Sequence, residues 1–300
     1  MKRRTATDNR EDPMFIDIHG HAYRKACPFP NRFCLPEELL AAYDEIGIEK
    51  GVVLPLAGPE VYLPQSNDDI IEMAQKWPDR LIPFCNVDPR ALRNSADAPF
   101  GDLLRYYRDQ GVRGIGELMP NLPFLDPMVQ NLFRHAQDVG FPVIFDITDR
   151  VGASYGLVDD PGLPQLETCL QRFPKLIILG HGPPFWAEIA RLITPGDRVT
   201  YPKYPVHEEG VVPVLLRRYE NMWGDLSAGS GFNALNRDHD YALRFLNEFQ
   251  DKLVFGTDIC VPAQRSPMAT LLIKFRDEGK ISREVFKKIA RGNAVRLLGL

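Results

Sequence analysis

Residues 14–21 read MFIDIHGH, an apolar strand-forming run that ends in two histidines separated by one glycine. Seven further runs rich in β-branched and apolar residues follow, each leading into a polar loop and a stretch with helical spacing. These runs begin near Gly51, Leu81, Arg113, Pro142, Leu176, Asn221 and Leu253. The spacing between them is close to one βα unit of about 30 residues. The sequence therefore predicts eight βα units.

Eight such units in a chain of 300 residues predict an α/β fold, a single and slightly distorted (β/α)₈ (TIM) barrel. A doubly wound sheet usually has a glycine-rich turn after its first strand, whereas this first strand runs into His-Gly-His. No linker divides the chain. We therefore expect one barrel domain over residues 14–300, preceded by a flexible tail over residues 1–13.

The longest interval between strands lies after the sixth strand and contains an insertion, residues 194–213, with four prolines. Its length and position are those of a lid over a barrel, and an irregular surface excursion is an equally good interpretation. Apolar residues with helical spacing fill other intervals. They predict helices over residues 37–46, 68–77, 126–139, 164–173, 235–249 and 283–298.

The composition excludes several classes of protein. With 44% hydrophobic and 25% charged residues the chain is typical of a globular protein, and a net charge of −4 gives no basic surface for nucleic acid. No apolar run reaches the roughly 18 residues of a membrane span, and the N-terminus lacks the apolar core of a secretory signal. An odd number of cysteines without a C-x-x-C pair predicts reduced thiols and a cytoplasmic location; they are Cys27, Cys34, Cys85, Cys169 and Cys260.

Active sites of barrel enzymes lie at the carboxyl ends of the strands, so the polar residues that end each run are candidates for chemistry. In an extended first strand, alternation puts Asp17, His19 and His21 on one side. Two imidazoles at that spacing can converge on one metal ion. Two unrelated surface histidines would give the same motif, so the other strand ends decide between the two interpretations.

Four more strands end in polar residues that bind metals well. His181 follows the sixth strand and Asp258 ends the eighth, although a loop histidine and a helix N-cap are the structural alternatives. Glu117 lies in the apolar fourth run, where burial without a partner would cost several kcal/mol. Asp146 occupies the corresponding place in the fifth. A cation at the barrel mouth would offset the cost of burying these carboxylates.

The remaining histidines are interpreted as having no role in the site. His135 lies in a predicted helix, His239 in a charged helix start, and His207 in the insertion, from which it would reach substrate only if that loop folds over the site. No nucleophile elbow, Walker loop or dinucleotide-binding glycine motif precedes a helix, and no cysteine is paired with a base. Metal chemistry is the class of reaction that remains.

The ordered set FIDIHGH, LIILGHG and LVFGTD, followed by GNAVRLLGL near the C-terminus, resembles the amidohydrolase superfamily. Within it the chain is similar to the amidohydrolase-2 group, which includes hydrolases and decarboxylases related to aminocarboxymuconate-semialdehyde decarboxylase. The resemblance covers nearly the whole chain from Met14. It implies a metal-dependent TIM barrel.

The resemblance also implies roles for individual residues. His19 and His21 match metal ligands, Asp258 the ligand or proton-handling carboxylate, and His181 the catalytic or substrate-polarising histidine. Glu117 matches an acidic fourth-strand position of some hydrolytic branches. Relatives commonly end the fifth strand with a histidine ligand, where this chain has Asp146, so a histidine-rich binuclear site is not implied.

These observations lead to a hypothesis of function. His19, His21 and one or more of the carboxylates at positions 117, 146 and 258 would hold a divalent ion, most simply Zn²⁺ with Mn²⁺ as the alternative, that activates water. Asp258 would take the proton and His181 would polarise the carbonyl of a small amide, lactone or ester. The two alternatives are a metal-dependent decarboxylase and a barrel that only binds a small molecule.

The expected partner is a small-molecule substrate, with no nucleic acid and no membrane. The identity of the substrate depends on the loops that contact it, and the sequence does not give the conformation of those loops. Four basic residues follow predicted strand ends and are candidates to pair a substrate carboxylate, although surface placement is the commoner role; they are Arg24, Lys25, Arg150 and Arg265. Dimers are common among such enzymes, so a homodimer is the assembly to test.

Overall fold

The computed structural model describes residues 15–26, 32–61 and 65–300. The predicted tail over residues 1–13, Met14 and Cys27 lie outside the described residues. Each of the eight predicted runs contains a strand, and two further two-residue strands form a small ribbon. In chain order they are β1 (Phe15–Gly20), β2 (Ile48–Val53), β3 (Leu81–Pro83), β4 (Ile115–Leu118), β5 (Val143–Phe145), β6 (Ile147–Thr148), β7 (Leu157–Val158), β8 (Ile178–Gly180), β9 (Met222–Asp225) and β10 (Leu253–Val254).

The strands form parallel sheets with the orders β1-β2-β3 and β10-β9-β8-β5-β4, while β6 pairs only with β7. Backbone hydrogen bonds join the two larger sheets at both seams. At one seam the Ile18 N–H donates to the Phe255 carbonyl at 3.0 Å. At the other the Cys85 N–H donates to the Gly114 carbonyl at 3.0 Å. The ring of eight parallel strands confirms the predicted TIM barrel.

Apolar side chains fill the interior of the ring, which is therefore a packed core rather than a pore. Most barrel strands contribute an inward-facing aliphatic or aromatic side chain, and β4 contributes Gly116, where an added Cβ would lie 3.1 Å from the Ile144 Cβ. The interior cluster consists of Ile18, Val52, Leu54, Ile82, Phe84, Ile144, Leu179, Trp223, Val254 and Leu298. A larger apolar cluster lies between the strands and the surrounding helices.

The helices surround the ring. They are α1 (Pro36–Ile46), α2 (Asn67–Lys76), α3 (Phe100–Asp109), α4 (Pro127–Val139), α5 (Pro164–Arg172), α6 (Pro183–Ala187), α7 (Val211–Arg218), α8 (Ala228–Asn236), α9 (His239–Glu248), α10 (Pro267–Asp277), α11 (Arg283–Lys287) and α12 (Asn293–Leu298). A π-helical turn, Lys288–Gly292, joins the last two. Among the described residues, no helix combines the length and the apolar character that crossing a membrane requires.

The sequence predicts α4 well because both of its ends carry strong signals. The Asp126 side chain accepts a hydrogen bond from the Met128 N–H at 2.8 Å, Pro127 is the first helical residue, and Gly140 ends the helix with φ +82°. The single helix predicted over residues 235–249 is wrong: the chain forms α8 and α9 there. Asp238 causes the break, since its carboxylate accepts the Tyr241 N–H at 3.0 Å and begins a new helix.

The insertion over residues 194–213 is fastened to the barrel at its base. It contains a 3₁₀ turn, Pro195–Val199, and Ala190 forms an antiparallel bridge with Glu209. Within the turn, the buried Arg198 donates from Nε to the Glu188 carboxylate at 2.7 Å. The segment is therefore tied to the chain beside it, although residues 200–208 form no helix or strand.

Candidate metal centre

The barrel brings the predicted strand-end residues together at one mouth. His19 lies within β1, His21 directly follows it, and Glu117 lies within β4. His181 and Asp258 follow β8 and β10. All of these side chains are buried except that of Asp258, which is 28% exposed. The centre is therefore formed by four strands that are far apart in sequence.

Four side-chain atoms make up this centre. Nε2 of His19 lies 3.1 Å from Nε2 of His21, and these two atoms lie 3.6 and 3.7 Å from Oε2 of Glu117. Oδ1 of Asp258 is 3.7 Å from the first nitrogen and 3.3 Å from the second. Ligands about 2.1 Å from a tetrahedral ion lie roughly 3.4 Å from one another. The atoms of His19, His21 and Glu117, which all lie within 4.8 Å of one another, fit such an ion, and Asp258 lies beside the two histidines.

The hydrogen bonds of the two histidines supply an independent test of this fit. Nδ1 of His21 lies 2.9 Å from the Leu54 carbonyl, which only accepts, so this nitrogen carries the proton. Nδ1 of His19 lies 2.7 Å from the Asp225 carboxylate and carries its proton in the same way. The two Nε2 atoms therefore face each other across 3.1 Å. Burial lowers the pKa of His19, but the charge and hydrogen bond of Asp225 raise it well above its ordinary value, so a positive charge is favoured between the rings. A metal cation can take the place of that proton, as in metal sites whose ligands are oriented from behind.

Asp225, at the end of β9, is the residue of the centre that the sequence analysis missed. Besides the contact with His19, its Oδ2 accepts a hydrogen bond from the Ser227 hydroxyl at 2.9 Å and lies 3.2 Å from Nδ1 of His181. The Ser227 oxygen in turn lies 3.0 Å from that same Nδ1. One buried carboxylate thus orients two histidines. Its position at a strand end was the signal that would have found it.

The electrostatics of the centre follow from burial and close opposite charges. Burial raises the pKa of Asp225, but the charges and hydrogen bonds of His19 and His181 outweigh it and hold the pKa below its ordinary value. Burial and the charge of His19 lower the pKa of His181, yet the hydrogen bond and charge of Asp225 raise it to about 8. The pKa of Glu117 is raised by burial and lowered more strongly by the neighbouring histidines. Asp225 and Glu117 are therefore anionic.

Asp146 lies beside this cluster rather than within the set of four atoms. Its Oδ1 accepts the Ile147 N–H at 2.7 Å, and a side-chain carbon at Gly182 would lie 2.2 Å from that oxygen. Burial and the charge of Glu117 raise the pKa of Asp146 to about 7. Oε1 of Glu117 faces this side, 3.8 Å from Nε2 of His181. Among the described residues, Asp146 belongs to neither group of side chains that could hold a metal ion.

The other polar candidates lie away from the centre. His135 is on α4 beside Arg134, His207 is exposed in the insertion, and the His239 ring packs against Phe275 at 5.1 Å. Two of the basic candidates pair with surface carboxylates: Arg24 with Asp69 and Glu72, and Arg265 with Glu45. Lys25 and Arg150 are exposed. The four described cysteines are free thiols.

An Asp225→Asn variant is expected to weaken metal binding about 10- to 100-fold, the usual cost of losing a carboxylate behind a histidine ligand. The amide keeps the size of the side chain but no longer accepts from both histidines and Ser227 together. Competition titration with a chromophoric chelator measures the affinity. Asp240→Asn, at an exposed position of α9, is the matched control and should bind metal like the wild-type protein.

A TIM barrel whose mouth carries side chains that could hold a metal ion is typical of barrel enzymes that use metal chemistry. The family model described as amidohydrolase (Amidohydro_2) matches residues 10–300. The chain belongs to this amidohydrolase family. No curated protein sequence matches it significantly.

Similar solved structures include enzymes of two reaction types. The 5-carboxyvanillate decarboxylase of Sphingomonas paucimobilis has a TM-score of 0.62 at 17% identity, covering 96% of this chain and 99% of that chain. A probable 2-pyrone-4,6-dicarboxylic acid hydrolase of Acinetobacter baumannii has a TM-score of 0.61 at 16% identity, covering 96% and 100%. A 2,6-dihydroxybenzoate decarboxylase of Rhizobium has a TM-score of 0.57 at 16% identity, covering 95% and 98%. At such identities these likenesses show the shared fold.

Proposed function

We propose that this chain is a metal-dependent hydrolase that cleaves a small ester, lactone or amide. The observation that carries the proposal is the asymmetry of the four-atom cluster. His19, His21 and Glu117 are buried, with side chains 0, 3 and 7% exposed, whereas Asp258 faces the open side. Two histidines and one glutamate form a ligand set of catalytic zinc sites, which leave one position to water or substrate. A closed structural site would bury all four groups.

The side chains around the cluster match the needs of hydrolysis. A divalent ion held by these three residues, Zn²⁺ or Mn²⁺, supplies Lewis-acid chemistry: it acidifies water and polarises a carbonyl group. Asp258 is positioned on the open side to accept the proton of the attacking water and pass it to the leaving group. Nε2 of His181, whose Nδ1 is held by Asp225 and Ser227, is directed into the site and donates to the developing oxyanion.

Decarboxylation is the second candidate, because two of the similar solved structures are decarboxylases. The charges of this centre favour hydrolysis over it. The anionic Glu117 faces His181 at 3.8 Å, and a carboxylate there repels the carboxylate that a decarboxylase must bind. A hydrolase instead uses an added carboxylate to hold the ion and order the water.

The experiment that separates the candidates compares two assays on the zinc-loaded and manganese-loaded protein. Proton release is followed with a panel of small esters, lactones and amides, and CO₂ release with a panel of hydroxylated benzoic acids and unsaturated acids. Hydrolysis without CO₂ release supports the proposal. CO₂ release would overturn the proposal in favour of a decarboxylase. If the metal-loaded protein is inactive in both assays, the alternative of a barrel that only binds a small molecule is favoured.

Asp258→Asn is expected to lower kcat by about 10²- to 10⁴-fold, the contribution of a general base. Because three buried ligands remain, the variant should keep its metal, which elemental analysis by mass spectrometry measures. Asp149→Asn, at an exposed loop position after β6, is the control and should leave both values unchanged. Loss of the metal together with activity would instead make Asp258 a ligand.

A further inference from the structure

Asp258 has a backbone conformation that is uncommon for any residue other than glycine. Its φ is +55°, in the left-handed region, where the Cβ atom of an L-residue lies too close to the carbonyl oxygen that follows it. Such a conformation persists only where surrounding contacts hold the backbone. It places Oδ1 of Asp258 3.3 Å from Nε2 of His21. The position of this carboxylate is therefore set by the groups that hold its backbone.

Contacts on the N-terminal side of Asp258 tie it to the first strand. The Asp258 N–H donates to the His19 carbonyl at 2.7 Å. The preceding Thr257 donates to the buried Asp17 carboxylate from its N–H at 2.8 Å and from its hydroxyl at 2.6 Å. These bonds fasten the chain that follows β10 to β1, which carries the first ligand histidine. They hold the N–H side of Asp258 and leave its carbonyl to a contact from the other direction.

On the C-terminal side, the side chain of Gln264 reaches back to Asp258. Nε2 of Gln264 donates to the Asp258 carbonyl at 2.6 Å. Oε1 accepts the N–H groups of Cys260 and Val261 at 3.1 and 3.3 Å. A carbonyl only accepts and a backbone N–H only donates, so these partners fix which way the amide points. The donor end of Gln264 thus holds Asp258, and its acceptor end holds the loop that follows.

We propose that Gln264 is a positioning residue, which keeps Asp258 in the left-handed conformation that directs its carboxylate to the metal centre. The inference rests on the proposed function only in that it takes Asp258 as the group that moves the proton. A displacement of about 1 Å at a reacting group can cost a hundredfold in rate. The His19 carbonyl is a backbone group that no substitution removes, whereas the Gln264 amide can be replaced, so the test is made there.

Two substitutions separate the two ends of the Gln264 amide. Gln264→Glu keeps an acceptor for Cys260 and Val261 but, when ionised, has no donor for the Asp258 carbonyl, and Gln264→Met keeps neither. In the zinc-loaded protein, both should lower kcat for the hydrolysed substrate about 10- to 100-fold, with KM changed less than threefold and the metal content unchanged. Gln75→Glu, at an exposed position of α2, is the matched control. Wild-type kcat in Gln264→Glu would overturn the proposal.

A double-variant cycle tests whether Gln264 acts through Asp258. Asp258→Asn already removes the proton-accepting group, so the addition of Gln264→Glu should change the remaining kcat less than twofold. If the two losses multiply instead, Gln264 affects the reaction by another route and is not a positioning residue for Asp258.

Thermal unfolding tests the same contact without any turnover. Glycine has no Cβ atom to clash at φ +55°, so Asp258→Gly should unfold about 2–4 °C above Asp258→Ala. With Gln264→Glu added to both proteins, residue 258 is free to relax and the difference should fall below about 1 °C. A difference that persists, or that is absent from the start, would overturn the proposal. The expected loss of the difference in a protein that hydrolyses nothing would support the role of Gln264 and contradict the proposed hydrolase.

Discussion

A His19→Ala variant is expected to lose the bound metal and to reduce hydrolysis by roughly a thousandfold or more, because a catalytic site with two protein ligands no longer holds its ion firmly. The change removes the nitrogen that lies within 3.7 Å of three other candidate ligand atoms. It also deprives the buried Asp225 of its closest partner. Elemental analysis of protein purified without chelators, followed by the ester assay, measures both effects.

Two further variants separate loss of metal from loss of fold. His21→Ala removes a ligand but keeps the contact between His19 and Asp225, so it should lose metal with a smaller loss of thermal stability. His135→Ala, at a helix position away from the mouth, should keep metal and activity. A wild-type protein with less than about half an equivalent of metal, unchanged by His19→Ala, would contradict the assignment.

The fold and most of the centre could be predicted from the sequence because, in a barrel, the position of a residue along the chain indicates which residues lie near it. Strand ends meet at one mouth, so polar residues that end apolar runs become neighbours. That rule brings Glu117 and His181 within 3.8 Å of each other, although they belong to separate βα units. It needs only the position of each strand end, which the apolar runs mark clearly.

The residues that escaped prediction depend on side-chain geometry that no periodicity records. Asp225 ends its strand like the others and could have been named as a candidate on that ground, but its role behind His19 rests on a bond that spans 206 positions of sequence. Asp238 shows the same limit for helices: whether an aspartate caps a new helix or lies within a longer one is decided by where the chain must turn.

The structural role of Arg198 could likewise not be predicted from the sequence, because it is one of several charged residues in a proline-rich insertion. Its side chain is 2% exposed, and its guanidinium donates to the carboxylate of Glu188 and to the carbonyls of Asp159 and Asp160. The second carboxylate oxygen of Glu188 accepts the Gly162 N–H at 2.7 Å. Each nitrogen of the guanidinium and both oxygens of the carboxylate are therefore hydrogen-bonded, and these bonds join the insertion to the segments that follow β7 and α6.

An Arg198→Ala variant is expected to lower the free energy of unfolding by about 3–5 kcal/mol, because it leaves the Glu188 carboxylate buried without its counter-charge. Arg191→Ala is the matched control: its ion pair with Glu208 has side chains 71 and 63% exposed, and its loss should cost at most about 1 kcal/mol. Urea unfolding followed by circular dichroism measures both.

Removing both charges separates two contributions to the free energy of unfolding: the cost of a buried, unpaired carboxylate and the net contribution of the ion pair. A double variant, Arg198→Met with Glu188→Leu, should be more stable than Arg198→Ala, because apolar side chains of similar size replace a buried ion pair at little net cost. It still loses the bonds to the Asp159 and Asp160 carbonyls, so it should not reach wild-type stability. Equal effects of Arg198→Ala and Arg191→Ala would contradict this assignment and would mean that other contacts fasten the insertion.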